Sequence, residues 1–142
     1  MADAVRIELG TWQALRALAA PIRFAVFVEE QKVPAAIELD EHDPVSLHAL
    51  AFDARATAVG TGRLLPDGHI GRMAVLAAAR GGGVGSALLL ALMSAARARG
   101  QREVALSAQL HAVPFYRRHG FVAEGSVYQE AGIAHVDMRC PL

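Results

Sequence analysis

Arg80-Gly-Gly-Gly-Val-Gly-Ser86 is the stretch that decides the fold of this 142-residue chain. After it, Leu88, Leu89, Leu92, Met93 and Ala96 recur at helical spacing through Ala87–Arg99. Arg97 and Arg99 suit the last turn, and Gly100 stops the helix. Before it, His69–Val75 follows the turn Pro66-Asp67-Gly68 and reads as a strand. A strand, then Arg-x-x-Gly-x-Gly, then a helix aims several backbone N–H groups at one point. Glycine lets a ligand approach the backbone, and a helix N-terminus favours an anion. Pyrophosphate fits that site, with Arg80 as an added cation. A Walker loop needs Gly-Lys-Ser/Thr, and here Gly85 meets Ser86 with no lysine. A dinucleotide fingerprint read from Gly81 needs glycine or alanine where Ser86 stands, and it ordinarily opens its fold, whereas 79 residues precede Arg80. The remaining alternative is a flexible turn.

Working outward, Val5–Glu8 reads as a first strand and Thr11 as the cap of a helix over Trp12–Ala19. Pro21 suits the first turn of a second helix reaching about Gln31. Residues 32–45 read as a loop rich in acids, and Ser46–Asp53 and Thr57–Leu65 as strands that form a meander with His69–Val75. Beyond the glycine helix come a strand at Glu103–Gln109, a short helix at Pro114–His119, and closing strands at Phe121–Tyr128 and Ile133–Arg139. The order β-αα-βββ-α-β-α-ββ predicts an α+β protein with a mixed sheet. No repeat or linker divides it, so residues 1–142 read as a single domain.

Composition removes several classes. Hydrophobic residues at 54% against 20% charged exclude disorder. The single cysteine, Cys140, excludes an internal disulfide and a cysteine-based zinc site, and the histidines show no metal-ligand spacing. The longest uncharged run, between Arg80 and Arg97, is 16 residues, short of the ~20 that cross a bilayer. Asp3, Glu8, Pro21 and Arg23 interrupt any signal-peptide pattern. The expectation is a soluble cytoplasmic protein. Lys32 is the only lysine among 14 basic residues, and alanine is very common, as in GC-rich bacterial genomes. Net charge is zero, but it is polarised. Residues 1–43 carry four more acids than bases, and residues 54–118 carry seven more bases than acids. That suits one anionic and one cationic ligand. No aromatic stacking platform accompanies the arginines, so nucleic acid is not expected.

A second motif, Gln109-Leu-His-Ala-Val-Pro-Phe-Tyr-Arg-Arg-His-Gly-Phe121, directly follows a strand. In a mixed sheet its start lies near the glycine loop. Tyr116 either presents a phenol to a cleft or packs beside Phe115 and Phe121. A phenol of pKa ~10 can protonate a departing thiolate.

The sequence Arg-x-x-Gly-x-Gly, helix, strand, Ala112-x-x-Phe115-Tyr116-x-x-x-Gly120-Phe121 resembles the GNAT superfamily of acyl-CoA-dependent N-acyltransferases. Val26-Phe-Val-Glu-Glu-Gln-Lys-Val-Pro34, with Glu38, Asp40 and Asp43, and Gly132-Ile-Ala-His-Val-Asp-Met138 are similar to the small bacterial YjcF/ElaA-like group. The resemblance covers nearly the whole chain. It implies a GNAT-like fold and transfer of an acetyl group from acetyl-CoA to a primary amine by direct attack in a ternary complex. Met73, Ala74 and Val75 would hold pantetheine and the acyl carbonyl at a bulge, with Val75 N–H as oxyanion donor. Arg80, Gly81, Gly82, Gly83, Val84, Gly85 and Ser86 would hold the pyrophosphate. Gln109 stands where many relatives have asparagine and would meet the pantetheine arm. Tyr116 would be the general acid. No metal and no cysteine nucleophile is required.

On the acceptor side the resemblance points to the loop holding Glu38, Asp40, Glu41 and Asp43, whose acids would attract a cationic amine; the alternative is a solvated loop whose acids cap turns. Arg63, His111 and His135 are further candidate contacts, the histidines also as bases. Relatives commonly dimerise, which implies a homodimer through the apolar C-terminal strands. Two other readings stand beside the enzyme: a non-catalytic acyl-CoA-binding or protein-interaction module on the same scaffold, and a nucleotide-binding domain using the same loop.

Overall fold

The computed structural model describes residues 5–142, so Asp3 lies outside the described residues. The elements are β1 (Arg6–Thr11), α1 (Trp12–Arg23), α2 (Ala35–Glu38), β2 (Leu47–Phe52), β3 (Ala58–Leu64), β4 (Ile70–Val75), α3 (Val84–Ala98), β5 (Glu103–Gln109), α4 (Val113–Arg118), β6 (Val122–Glu130) and β7 (Ile133–Pro141). No helix among the described residues is long and apolar enough to cross a membrane.

Thr11 caps α1 as its position predicts, its Oγ1 accepting from Ala14 N at 3.1 Å. The expected pair of helices is in fact one. Pro21 sits inside α1, which continues past Arg23 into wider π-type turns over Phe24–Glu30. Proline removes one internal donor, but the apolar stripe of Leu15, Ala19, Ile22 and Val26 carries on through it and buries against Leu50, Phe52 and Ala74. Each such side chain contributes roughly 1.5–3 kcal/mol, which sets the helix's path. Residues 32–45, read as loop, contain α2 and a 3₁₀ turn at Asp43–Val45. α3 starts earlier than read, at Val84, directly on the glycine loop.

Strands β1-β2-β3-β4 form one antiparallel sheet in that order, and β5-β7-β6 form a second. α1 covers one face of the first sheet. α3 covers the other, burying Leu88, Leu89, Leu92 and Ala96 completely. The sheets meet at one parallel bridge, His69 to Ala105, where Ala105 N donates to Gly68 O at 3.2 Å. This bridge lies near the start of both β4 and β5. Beyond it the two strands have no ladder between them, so they splay toward Val75 and Gln109.

β4 carries a bulge. Thr61 pairs with Ala74 and Arg63 with Gly71, so Gly62 faces both Arg72 and Met73. Glycine stands opposite: a Cβ at position 62 would lie 2.5 Å from Met73 Sδ and 3.0 Å from Leu92 Cδ1, so the ends of those two side chains would have to shift.

Candidate active site

The glycine loop is built from backbone. Gly81 and Gly83 both adopt φ of +85°, a region other residues rarely enter, and a Cβ at either would meet nothing within 4 Å. Gly83 is the N-cap of α3, with no side chain capping the helix. The first-turn N–H groups of Val84, Gly85 and Ser86 therefore have no intrahelical acceptor and no side-chain cap. They line a cleft with Val75, Phe115 and Arg118. These features fit a pyrophosphate: open space, uncapped donors and two arginines at the rim.

Two of the expected pyrophosphate contacts have partners of their own. Ser86 Oγ lies 2.9 Å from His119 Nε2. Arg80 is clamped by Glu30, with Nη1 and Nη2 donating to the two carboxylate oxygens at 3.0 and 2.6 Å. Arg80 Nε donates to Val75 O at 2.9 Å, fixing the end of β4.

Leu76 N donates to Val59 O at 2.9 Å, so these two form a hydrogen-bonded rung of the antiparallel ladder. Val75, opposite Gly60, is then on a non-bonded rung. Its N–H points away from β3, toward the open side of β4. An oxyanion donor on this strand needs that orientation.

The splay between β4 and β5 opens a cleft lined by Gly71, Arg72 and Met73 from β4, Ser107 and Gln109 from β5, and Tyr116 and His135. Tyr116 is 9% exposed, and burial pushes its phenol up to about 12. Its hydroxyl makes no hydrogen bond among the described residues, while its ring packs against Phe115 and Phe121. Both sequence readings of Tyr116, cleft phenol and packed ring, thus hold at once. Gln109 is paired with Gln31 in a reciprocal amide contact, its Nε2 donating to Gln31 Oε1 at 2.8 Å across the cleft.

His111 is exposed beside Tyr116 on the cleft wall. His135 is buried, with Nδ1 2.7 Å from Ile133 O. The carbonyl can only accept, so Nδ1 donates to it, and Nε2 lies 3.8 Å from Glu130 Oε2. Register explains the grouping. Ser107 faces Asp137, and Tyr128 faces His135, so these side chains share the polar face of the second sheet. Tyr128 donates to Asp137 Oδ1 at 2.7 Å and contacts Ser107 Oγ.

The acidic loop follows neither reading as a whole. Asp40 Oδ1 caps a turn by accepting from His42 N at 3.0 Å, while Glu38 and Asp43 are withdrawn into the interior. Glu38 and Asp43 are 4% and 2% exposed, and both bind Arg23, itself 1% exposed, at 2.6 and 2.7 Å. Arg63, expected on the cleft or on exposed sheet, is buried against Asp43 at 2.9 Å and Asp40 at 2.7 Å. Burial alone would raise Asp40, but the Arg63 bonds and charge bring its carboxyl down to about 2. Asp43 is likewise held low, against burial, by Arg23 and Arg63. The acidic N-terminal part and the basic middle therefore cancel much of their charge within the molecule. Burying a charge demands such pairing. Among these acids only Glu41 stays exposed and free of arginine.

Sequence reading missed Arg72, Gln31, Glu130 and Phe27 on the cleft, Arg118 beside the glycine loop, and Arg23 and Glu30 as partners of residues it had named. Arg72, adjacent to Met73, and Gln31, within a motif already quoted, were within reach. Arg23 and Glu130 depend on chain crossings that no local signal reveals. Cys140 is buried, its Sγ facing His119 O at 3.7 Å, away from the cleft residues. Among the described residues no group of three or more His, Cys, Asp or Glu side chains is placed to hold a metal ion.

Known proteins share this arrangement. The model of the acetyltransferase (GNAT) domain matches residues 13–142. The chain belongs to the GNAT acetyltransferase family. Within that family it is 40% identical over 121 residues to the uncharacterized N-acetyltransferase YjcF of Bacillus subtilis, covering 82% of this chain and 86% of the relative. The crystal structure of an acyl-CoA N-acyltransferase from Pseudomonas aeruginosa superposes with a TM-score of 0.83 at 35% identity, over 96% of this chain and 99% of that one. Escherichia coli ElaA superposes with a TM-score of 0.83 at 28% identity, again over 96% and 99%. The fold and the YjcF/ElaA-like resemblance read from the sequence are thereby borne out. GNAT membership makes the chain an N-acetyltransferase, of a family that uses acyl-CoA.

Proposed function

We propose that this acetyltransferase moves the acetyl group of acetyl-CoA directly to a primary amine within a ternary complex. The observation that carries this reading is the splay of β4 from β5. It joins the backbone-built loop at one end to a cleft lined by Tyr116 and His135 at the other.

Val84 to Ser86, with Gly81 to Gly83 and Arg80, would hold the pyrophosphate. The bulge at Arg72 and Met73, with Ala74, Val75 and Gln109, would hold the pantetheine arm. The amine nitrogen attacks the thioester carbon, a C–N bond forms, and the C–S bond breaks. Val75 N–H would face the oxygen as it gains charge, an effect worth roughly 3–4 kcal/mol for one well-placed donor. The thiolate takes the Tyr116 proton, and the phenolate then regains one from water. Burial pushes that phenol up to about 12, which keeps it protonated until the thiolate forms. His135 Nε2 takes the amine's surplus proton and passes it by way of Glu130 to water.

Titration of the protein with acetyl-CoA, CoA and ATP tests this. Micromolar binding of both CoA species, with ATP at least tenfold weaker, is the expected result. Failure of both CoA species to bind overturns the reading, and stronger ATP binding would restore the nucleotide-binding alternative.

A homodimer through the C-terminal strands belongs to the same proposal. It is supported by β6, the end strand of its sheet, whose Val122 and Val127 are 66% and 55% exposed. Light scattering that gives a monomer mass at tens of micromolar would remove it.

A further inference from the structure

The cleft has two lobes that share Phe27, Gln31, Arg72, Gln109, Glu130 and His135. The first lobe reaches Tyr116. The second is walled by Val33, Ile37, Ala131 and Ile133, four apolar side chains. Arg72 borders both lobes.

Arg72 is held there at some conformational cost. Its φ is +49°, the left-handed region, which strains a residue with a Cβ. The bulge opposite Gly62 imposes that backbone and turns the side chain away from the ladder. One edge of the guanidinium is then pinned. Nε donates to Glu38 O at 3.1 Å and Nη2 to Ile37 O at 3.3 Å. Both carbonyls are neutral, and Nη2 makes one longer bond to a carboxylate, Asp40 Oδ2, at 3.4 Å. Nη1 makes no hydrogen bond among the described residues.

The two neighbouring arginines are held differently. Arg23 and Arg63 take all the arginine contacts of 3.2 Å or shorter to the carboxylate oxygens of Glu38, Asp40 and Asp43. The nearest carboxylate oxygen to Arg72 is Asp40 Oδ2 at 3.4 Å, and Glu38 Oε1 lies at 3.9 Å. Electrostatics follow the geometry. Arg63 is raised, because its carboxylates outweigh burial. Arg72 is lowered by burial and by the charge of Arg63, which Asp40 and Glu38 offset only in part. A half-buried guanidinium that lines the cleft with its Nη1 free of hydrogen bonds among the described residues suits a carboxylate. Glu130 and His135 border the same space and suit an amine.

We infer that the acceptor is an amine that also carries a carboxylate, an amino acid or a close analogue, with Arg72 binding the carboxylate. Its amine lies toward His135 and Glu130, and its apolar part lies against Val33, Ile37 and Ile133. This rests on reading the cleft as the acceptor side of an acetyltransferase. Arg72 is therefore the specificity-determining residue, and a simple alkyl amine or polyamine is a poor acceptor.

Product-type probes test this without turnover. The protein is saturated with CoA and titrated by calorimetry with N-acetylglycine, N-acetylalanine and N-acetylleucine, each paired with its C-terminal carboxamide. At least one acid is expected to bind tenfold or more tightly than its amide. Arg72→Gln should bring that ratio to within about twofold, and Arg72→Lys should keep part of it. Equal or absent binding across all three pairs overturns the inference, as does a preference that survives in Arg72→Gln. The wild-type ratio stands even if Arg72→Gln folds poorly, which its melting temperature and CoA affinity reveal. CoA affinity of the wild type separates the two levels. Intact CoA binding without acid preference removes only the carboxylate inference, whereas loss of CoA binding removes the acetyltransferase reading on which it rests.

Discussion

Residues 80–86 and residues 38–43 are two short segments of similar length that supply polar groups to the functional half of the molecule, and they are organised in opposite ways. In the glycine segment the working groups are backbone N–H donors, left open by glycines at positive φ and uncapped by any side chain. In the acidic segment the working groups are side chains, and those of Glu38, Asp40 and Asp43 are closed by arginines 15 to 32 residues away. One segment keeps its electrostatic potential for a ligand. The other uses its potential to fasten α1 to β3 and β4. A charged segment is thus a binding site only where the fold leaves its charge uncompensated, and Arg72, at the edge of the acidic network, is the partial exception.

The largest effect should come from opening the closed network. Arg23→Ala strands Glu38 and Asp43 in the interior and should destabilise the protein by about 3–5 kcal/mol, the range for breaking a buried pair. For a domain of this size that is a fall in Tm of roughly 10–15 °C. Arg80→Ala, at the exposed pair with Glu30, should leave the urea midpoint unchanged while weakening CoA. Equal destabilisation by both would break the comparison.

Tyr116→Phe should lower kcat by roughly 10²–10⁴, the range for a general acid, with CoA affinity unchanged. Thiol-release kinetics read the first quantity and titration the second. A matching loss in CoA affinity would instead make Tyr116 a packing residue.

Gly83→Ala sharpens the contrast at smaller scale. The added methyl meets no atom within 4 Å, yet φ of +85° strains it by roughly 1–2 kcal/mol. Because it sits where the anion would approach, CoA affinity should fall by about tenfold with a modest drop in Tm. Unchanged affinity would show that the cradle lies elsewhere.

The smallest effect is a pH dependence. Burial lowers the pKa of His48 below 6.5, although its Nε2 meets Asp43 O at 2.9 Å. As pH falls through 6.5 the unfolded chain takes up a proton that native His48 does not, so stability declines there, by at most 1.4 kcal/mol per pH unit. Asp40 adds a separate decline from about pH 3.8 down to about 2. Urea midpoints between pH 7.5 and 5 should fall for the wild type and stay flatter for His48→Gln. Equal slopes would move the acid sensitivity to another group.

Much of this was legible in advance. The strand, glycine loop and helix were local, since glycine conformation and helical periodicity concern residues within a few positions of one another. The fold class and the order of elements followed from them. Pro21 misled because tertiary burial of the α1 stripe outweighs a single lost donor. The acids of residues 38–43 misled because a carboxylate looks the same in sequence whether it faces water or Arg23. Glu130, His135 and Ser107 come together only through the register of β5, β7 and β6.

The sequence by itself determined the glycine loop and the helix it opens, because both are built from backbone geometry that glycine and helix signals encode locally. Only the tertiary structure decided which charges remain available around the acidic loop. Pairing between distant side chains, not composition, sets how much of a charge is left for a ligand, and of the three arginines beside the acidic loop only Arg72 lines the cleft, its Nη1 free of hydrogen bonds among the described residues.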